Sequence, residues 1–216
     1  MLRFKEFINE TAIHPHKDEH GGDVILRNPS EPSPIEHWGD PNKHATVVPR
    51  GEMPPELNGV RFDHYTPPSD WNTVEGQGDF AEPPLEKHGK QLATGAIIHE
   101  PCGRVWTISP SNQFAGYVNT IGPKGRVDPG LNLHANAIKE AHEETGLKIR
   151  LTGHAHDSHR KTTMTRYYHA VRTGGHPGDM GWETQAVHLV PKDKLEDHLN
   201  DELDKNTARE AVLKKV

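Results

Sequence analysis

Three carboxylates, Glu140, Glu143 and Glu144, stand at spacings i, i+3 and i+4. On a helix, which turns about 100° per residue, all three point into one small volume. Like charges so placed repel, by roughly a few tenths of a kcal/mol per exposed pair. A divalent cation turns that repulsion into binding. An all-oxygen donor set favours Mg²⁺ or Mn²⁺ over zinc. Taken alone, the triplet reads first as a solvated acidic face. The segment before it shifts the balance, because residues 123–130 bring Gly125, Gly130, Lys124 and Arg126 to the entrance of the helix. Gly125 lets the backbone approach a ligand closely. Lys124 and Arg126 are either phosphate-binding cations or ordinary surface charges. A basic loop followed by a metal-binding helix is what a diphosphate requires.

The helix that positions these groups is expected over residues 132–145, with Gly146 as its stop. Its buried stripe is Leu133, Ala137, Ala141 and Thr145, with Ile138 at the margin. Ahead of it, residues 93–100 and 104–108 read as a strand pair around the turn at 101–103. Residues 109–131 read as loop. After it, 147–156, 163–172 and 183–190 read as strands, with a turn at 157–161. Residues 192–200 and 204–216 read as helices, broken near Asn206 and Thr207. This order predicts an α/β fold with a mixed sheet between helices.

Residues 12–92 are rich in Pro, Gly, His and Asp, a composition that blocks long helices and central strands. The expectation is an irregular N-terminal extension, residues 1–90, with short strands near 24–26 and 45–48. Trp38, Trp71 and Phe80 would anchor it on a main domain of residues 91–216. Leu2, Phe4, Phe7 and Ile8 have the spacing of a short amphipathic helix docked on the domain or on a partner.

The chain carries 25 basic and 31 acidic side chains, for a net charge of −6. No stretch is strongly basic, so nucleic acid is not the expected partner. The one cysteine, Cys102, cannot form an internal disulfide, which fits the cytoplasm. No apolar run reaches the roughly 18 residues of a membrane span, and the N-terminus lacks the apolar core of a signal peptide.

Residues 125–147 resemble the Nudix box, G-x5-E-x7-R-E-U-x-E-E-x-G-U, where U is a bulky aliphatic residue. Gly125, Glu140, Glu143, Glu144, Gly146 and Leu147 match it in register. The first Glu of the box falls on Leu131, its Arg on Lys139 and the first aliphatic position on Ala141. The resemblance implies an α/β/α sandwich with a mixed sheet. It implies Mg²⁺- or Mn²⁺-dependent cleavage of a diphosphate bond in a nucleoside diphosphate linked to another group. Glu140, Glu143 and Glu144 are then the expected metal ligands, with a backbone carbonyl near Gly125. Lys139 can pair with Glu143 but lacks the planar fork of Arg. Leu131 cannot replace a carboxylate. The departures leave open a weak or inactive domain that binds nucleotides or a partner, and related domains often form homodimers.

The family also implies a further acid after the box. Glu183 is the candidate, as metal ligand or as the base that activates water, along with Glu143 and Glu140. The alternative is an exposed strand-end carboxylate. Arg160 and Tyr167, with Lys161, Arg166 and Tyr168, are candidates for distal phosphates or a base. A half-exposed strand would look the same. Trp106, Phe114, Tyr117 and Trp182 are stacking candidates, Trp106 more readily as core. No proline stands near 162–165, where ADP-ribose-specific members often have one. Residues 123–126 together with the basic 159–161 segment resemble the dinucleoside-polyphosphate and diphosphoinositol branch of the family, toward which the reading leans. Among the 17 histidines, His14, His16 and His20 form one group and His154, His156 and His159 another. His154 and His156 share a strand face, a weak pattern for zinc without nearby cysteines.

Overall fold

The computed structural model describes residues 11–112 and 119–214. The segment around Leu2, Phe4, Phe7 and Ile8, together with Phe114 and Tyr117, lies outside the described residues. In chain order the elements begin with β1 (Thr11–Ile13), β2 (Ile25–Arg27), α1 (Glu36–Gly39), β3 (Ala45–Val47), β4 (Glu56–Leu57) and β5 (Val60–Arg61). β6 (Gln91–His99), β7 (Arg104–Pro110), β8 (Lys124–Arg126) and α2 (Leu133–Thr145) follow. β9 (Leu147–His159), β10 (Thr163–Gly175), β11 (Thr184–Pro191), α3 (Leu195–His198) and α4 (Glu202–Ala208) complete the chain.

The main sheet has the order β3-β11-β7-β6-β10-β9, with β8 added against β6. It is mixed, because β6 and β10 run parallel while the other pairs are antiparallel. On its other side β6 has two partners. Ile98 and His99 pair with β7, whereas Ala93 to Gly95 pair with β8. β7 therefore parts from β6 early, and β8 fills the gap beneath α2.

Alternation sorts the side chains to two faces. On one face Ala96, Ile98, Trp106, Ile108, Leu147, Ile149 and Tyr168 pack against Ala137, Ile138 and Ala141 of α2. On the other, Ile97, Val105, Tyr167 and Val190 pack against Leu195, Leu199 and Ala208 of the C-terminal helices. The sheet is thus sandwiched between helices, as the element order predicts.

Residues from the N-terminal half complete the first face. β3 pairs with β11, and Trp38 lies 5.9 Å from Trp106 between ring centroids. Phe62 and Val74 are buried in the same cluster, while Trp71 and Phe80 pack at its margin.

The elements depart from expectation at four places. The turn expected over 157–161 starts later, because β9 continues through Asp157, Ser158 and His159, paired with Arg166, Thr165 and Met164 of β10. The loop expected over 109–131 contains β8, which exists only through its pairing with β6. The expected helix over 192–200 is a 3₁₀ turn at Lys192–Lys194 followed by the single turn α3. No break occurs at Asn206 and Thr207, since α4 runs through both and continues into a π-turn at Arg209–Leu213. Asp201 caps α4, and Thr207 Oγ1 donates back to the Leu203 carbonyl at 2.9 Å. Among the described residues no helix is long and apolar enough to cross a membrane.

Candidate active site

α2 begins and ends where its sequence dictates. The Asn132 side chain accepts from the Ala135 N–H at 2.9 Å, and Gly146 closes the helix at φ +67°. Between these caps, Glu140, Glu143 and Glu144 face a cleft of about 900 Å³. Lys124, Gly125 and Arg126 of β8 line it beside them, together with Gly181, Trp182 and Glu183. All four carboxylates named from the sequence, the two cations and Gly125 are therefore brought together.

β8 and α2 meet closely. Glu144 Oε2 accepts the Lys124 N–H at 2.6 Å. A Cβ on Gly125 would lie 2.1 Å from Glu140 Oε2, so only glycine leaves that carboxylate its place. Glu183 is placed by backbone contacts. The Gly181 N–H donates to the Glu143 carbonyl at 2.7 Å, and the Ser111 N–H donates to the Glu183 carbonyl at 2.7 Å. Ser111 Oγ adds a bond to the Trp182 carbonyl at 2.7 Å.

The carboxylates raise one another's proton affinity. Burial, then the charge of Glu144, pushes Glu140 up to about 8. Burial pushes Glu144 up to about 7, against the pull of Lys124. Glu183 is raised by partial burial and then by Glu143 and Glu19. Lys139 is the amine among them: its Nζ lies 2.5 Å from Glu143, 3.2 Å from Asp128 and 3.9 Å from Glu140. The i, i+4 pair read from the sequence is thus present, with two further carboxylates, Asp128 and Glu140, added. Among the described residues, neither the Lys124 ammonium nor the Arg126 guanidinium has a carboxylate oxygen within 4.0 Å, although both residues line the cleft.

Asp128 was not singled out by sequence reasoning. It stands three residues before Leu131, which holds the place of the first box Glu. Its carboxylate holds Lys139, and its N–H donates to Asn136 Oδ1 at 3.0 Å. The loop into α2 is therefore tied to the helix by a different acid. His142, Glu19 and Asp179 also line the cleft. His142 lies edge-on to Tyr65 and tilted against Trp71. Only contacts between distant segments reveal these.

Other candidates are placed elsewhere. Arg160 donates to Asp201 at 3.1 Å and Asp204 at 2.9 Å, at the start of α4 and outside the cleft. Tyr167 is buried at 1% exposure in the second core face, so it cannot meet a substrate. Arg166 is held by Asp157 and Glu82, and Tyr168 donates to Glu82. Trp106 is core, and Trp182 alone of the described stacking candidates lines the cleft. His14 is buried against the Thr184 carbonyl, and His154 pairs with Asp157. Neither predicted histidine group gathers three ligand atoms among the described residues.

A NUDIX domain family model matches residues 89–212. Solved structures of similar shape include a NUDIX hydrolase from Nitrosomonas europaea at TM-score 0.50 and 12% identity. That alignment covers 56% of this chain and 87% of the other. An ADP-ribose pyrophosphatase from Streptococcus suis aligns at TM-score 0.46 and 23% identity, over 57% and 87% of the two chains. An Ap4A hydrolase from C. elegans aligns at TM-score 0.46 and 18% identity, over 56% and 93%. No match was found among curated proteins.

Proposed function

Because the chain belongs to the NUDIX family, whose hydrolases act on phosphoric anhydrides, we propose a Mg²⁺- or Mn²⁺-dependent hydrolase of nucleoside diphosphates linked to a further group. Glu140, Glu143, Glu144 and Glu183, lining one cleft with Lys124 and Arg126, carry this reading. Dinucleoside polyphosphates and ADP-ribose-type diphosphates are the two substrate groups to assay first.

The donor set fits a hard cation. It is all oxygen, and burial and mutual repulsion raise the proton affinity of Glu140 and Glu144. Glu140, Glu143 and Glu144 would hold the ion, with the Gly125 backbone beside them. When bound, it supplies charge neutralisation and polarisation at the phosphoryl oxygens. Lys124 and Arg126 bind the diphosphate oxygens. Trp182 offers an aromatic face in the cleft for a nucleobase. Glu183, free of the lysine that engages Glu143, takes the proton of the attacking water. The new bond joins water oxygen to phosphorus. The bridging P–O bond breaks, and its electron pair leaves with the second phosphate. Asp128 supplies the loop contact that Leu131 cannot, so the altered box retains its support for turnover.

The test is Mg²⁺-dependent phosphate release from a panel of such diphosphates. Glu144→Gln, checked for folding by circular dichroism, is expected to lower kcat by about two orders of magnitude or more. Wild-type turnover in that variant, or tight binding without turnover in any metal, would sink the proposal.

A further inference from the structure

On the sheet face away from α2, a second group of metal-ligating side chains converges. His188 of β11 is paired with Thr46 of β3 on one side and Thr107 of β7 on the other. The three therefore form a polar row across the sheet. His44 lies two residues before Thr46, Ser109 lies two residues past Thr107, and His198 ends α3.

The rings of His44, His188 and His198 are nearly equidistant. Their centroids stand 5.2, 4.9 and 5.0 Å apart, and their planes cross at 61°, 86° and 69°. Each ring offers a nitrogen within 4.8 Å of those of the other two. An ion about 2.0–2.1 Å from one nitrogen of each ring, at tetrahedral angles, sets centroids about 5 Å apart. No other trio of His, Cys, Asp or Glu among the described residues, the cleft carboxylates included, brings ligand atoms so close.

Hydroxyl groups surround the rings. Thr46 Oγ1 lies 2.9 Å from His188 Nδ1 and 3.4 Å from His44 Nε2. Ser109 Oγ lies 2.7 Å from His188 Nε2, and Thr107 Oγ1 lies 2.9 Å from His198 Nε2. Such partners orient imidazoles that bind metal through the opposite nitrogen. On His188 an ion would displace one of the two hydroxyls and keep the other. Burial lowers the proton affinity of all three rings. His188 is held well below the usual range, His198 is lowered to about 3, and His44 is lowered as well.

We propose that His44, His188 and His198 form a transition-metal site, for Zn²⁺ or a similar imidazole-binding ion, separate from the carboxylate cleft. Three protein ligands leave one tetrahedral position for water. The ion would tie together the N-terminal edge strand, the last strand and α3, so its role is to fasten the extension to the sheet.

The experiment uses the full chain, stripped with a chelator and then supplied with excess Mg²⁺ to occupy the carboxylates. Co²⁺ is titrated and followed by visible absorption, and Zn²⁺ is followed by calorimetry and thermal melting. One tight equivalent is expected, with the intense spectrum of tetrahedral Co²⁺ and a Tm raised by Zn²⁺. His44→Asn and His198→Asn, both at partly exposed positions, are expected to weaken binding at least about tenfold. His154→Asn is expected to leave it unchanged. An octahedral spectrum, no tight equivalent, or wild-type affinity in the His44 and His198 variants overturns the proposal. None of these readouts depends on turnover.

Discussion

Lys139 lies within reach of Asp128, Glu140 and Glu143, so it links the loop before α2 to the carboxylates of the helix. Replacing it with Met keeps the stem and removes the charge. Lys139→Met is expected to lower kcat about 10- to 100-fold and to raise the Mg²⁺ concentration for half-maximal rate, with KM little changed. Steady-state kinetics across a Mg²⁺ series checks this, and an equal rise in KM alone would show that Lys139 contacts substrate instead. The Lys139–Glu143 pair was legible because i, i+4 neighbours meet on any helix. Asp128 was not, because its part depends on how the loop folds back on α2. Tyr167 was misplaced for a physical reason. Alternation on a strand shows an exposed side only where one face meets water, and β10 is covered on both.

β6 and β10, the parallel pair, carry a titratable contact between His99 Nε2 and His169 Nδ1 at 3.0 Å. Burial, then the neighbouring His169, lowers His99 from its ordinary 6.5 to about 4. Between those values the unfolded chain binds the proton that the folded chain refuses. The contribution of His99 to stability is therefore complete above about pH 6.5 and is lost as the pH falls toward 4. That loss is up to about 2 kcal/mol at pH 5. Urea midpoints at pH 7.5 and 5 measure it. The change from pH 7.5 to 5 is expected to be less destabilising in His99→Gln than in the wild type, and an equal change in both would show that His99 does not titrate there. At this scale α2 was legible from Asn132 and Gly146, since caps act within a few residues. β8 was not, because three residues without periodicity become a strand only beside β6. The uninterrupted α4 escaped prediction for a similar reason, as the cap by Asp201 outweighs the poor helix formers Asn206 and Thr207.

Across the whole molecule, the N-terminal half is joined to the sheet by hydrogen bonds to a buried ion pair. Arg172 Nε lies 2.6 Å from Glu100 Oε1, and both side chains are 1% exposed. The guanidinium also donates to the Leu57, Val60 and Arg61 carbonyls, around β4 and β5. Trp106 Nε1 and Asn58 Nδ2 donate to the same carboxylate. Arg172→Met strands that carboxylate and three carbonyls, and is expected to cost about 3–5 kcal/mol by urea denaturation. The double variant with Glu100→Gln is expected to recover part of that. A loss below about 1 kcal/mol in Arg172→Met would show that water reaches the pair. The prolines of residues 12–92 foretold short strands, but not that one of them would extend the main sheet. That pairing also sets an order of events during synthesis. Thr46 and His188 touch across 142 positions of chain. β3, in the half of the chain made first, must wait for the last strand before it is paired into the sheet. Its pairing is then among the latest steps of folding and the one most open to capture by a chaperone or a protease.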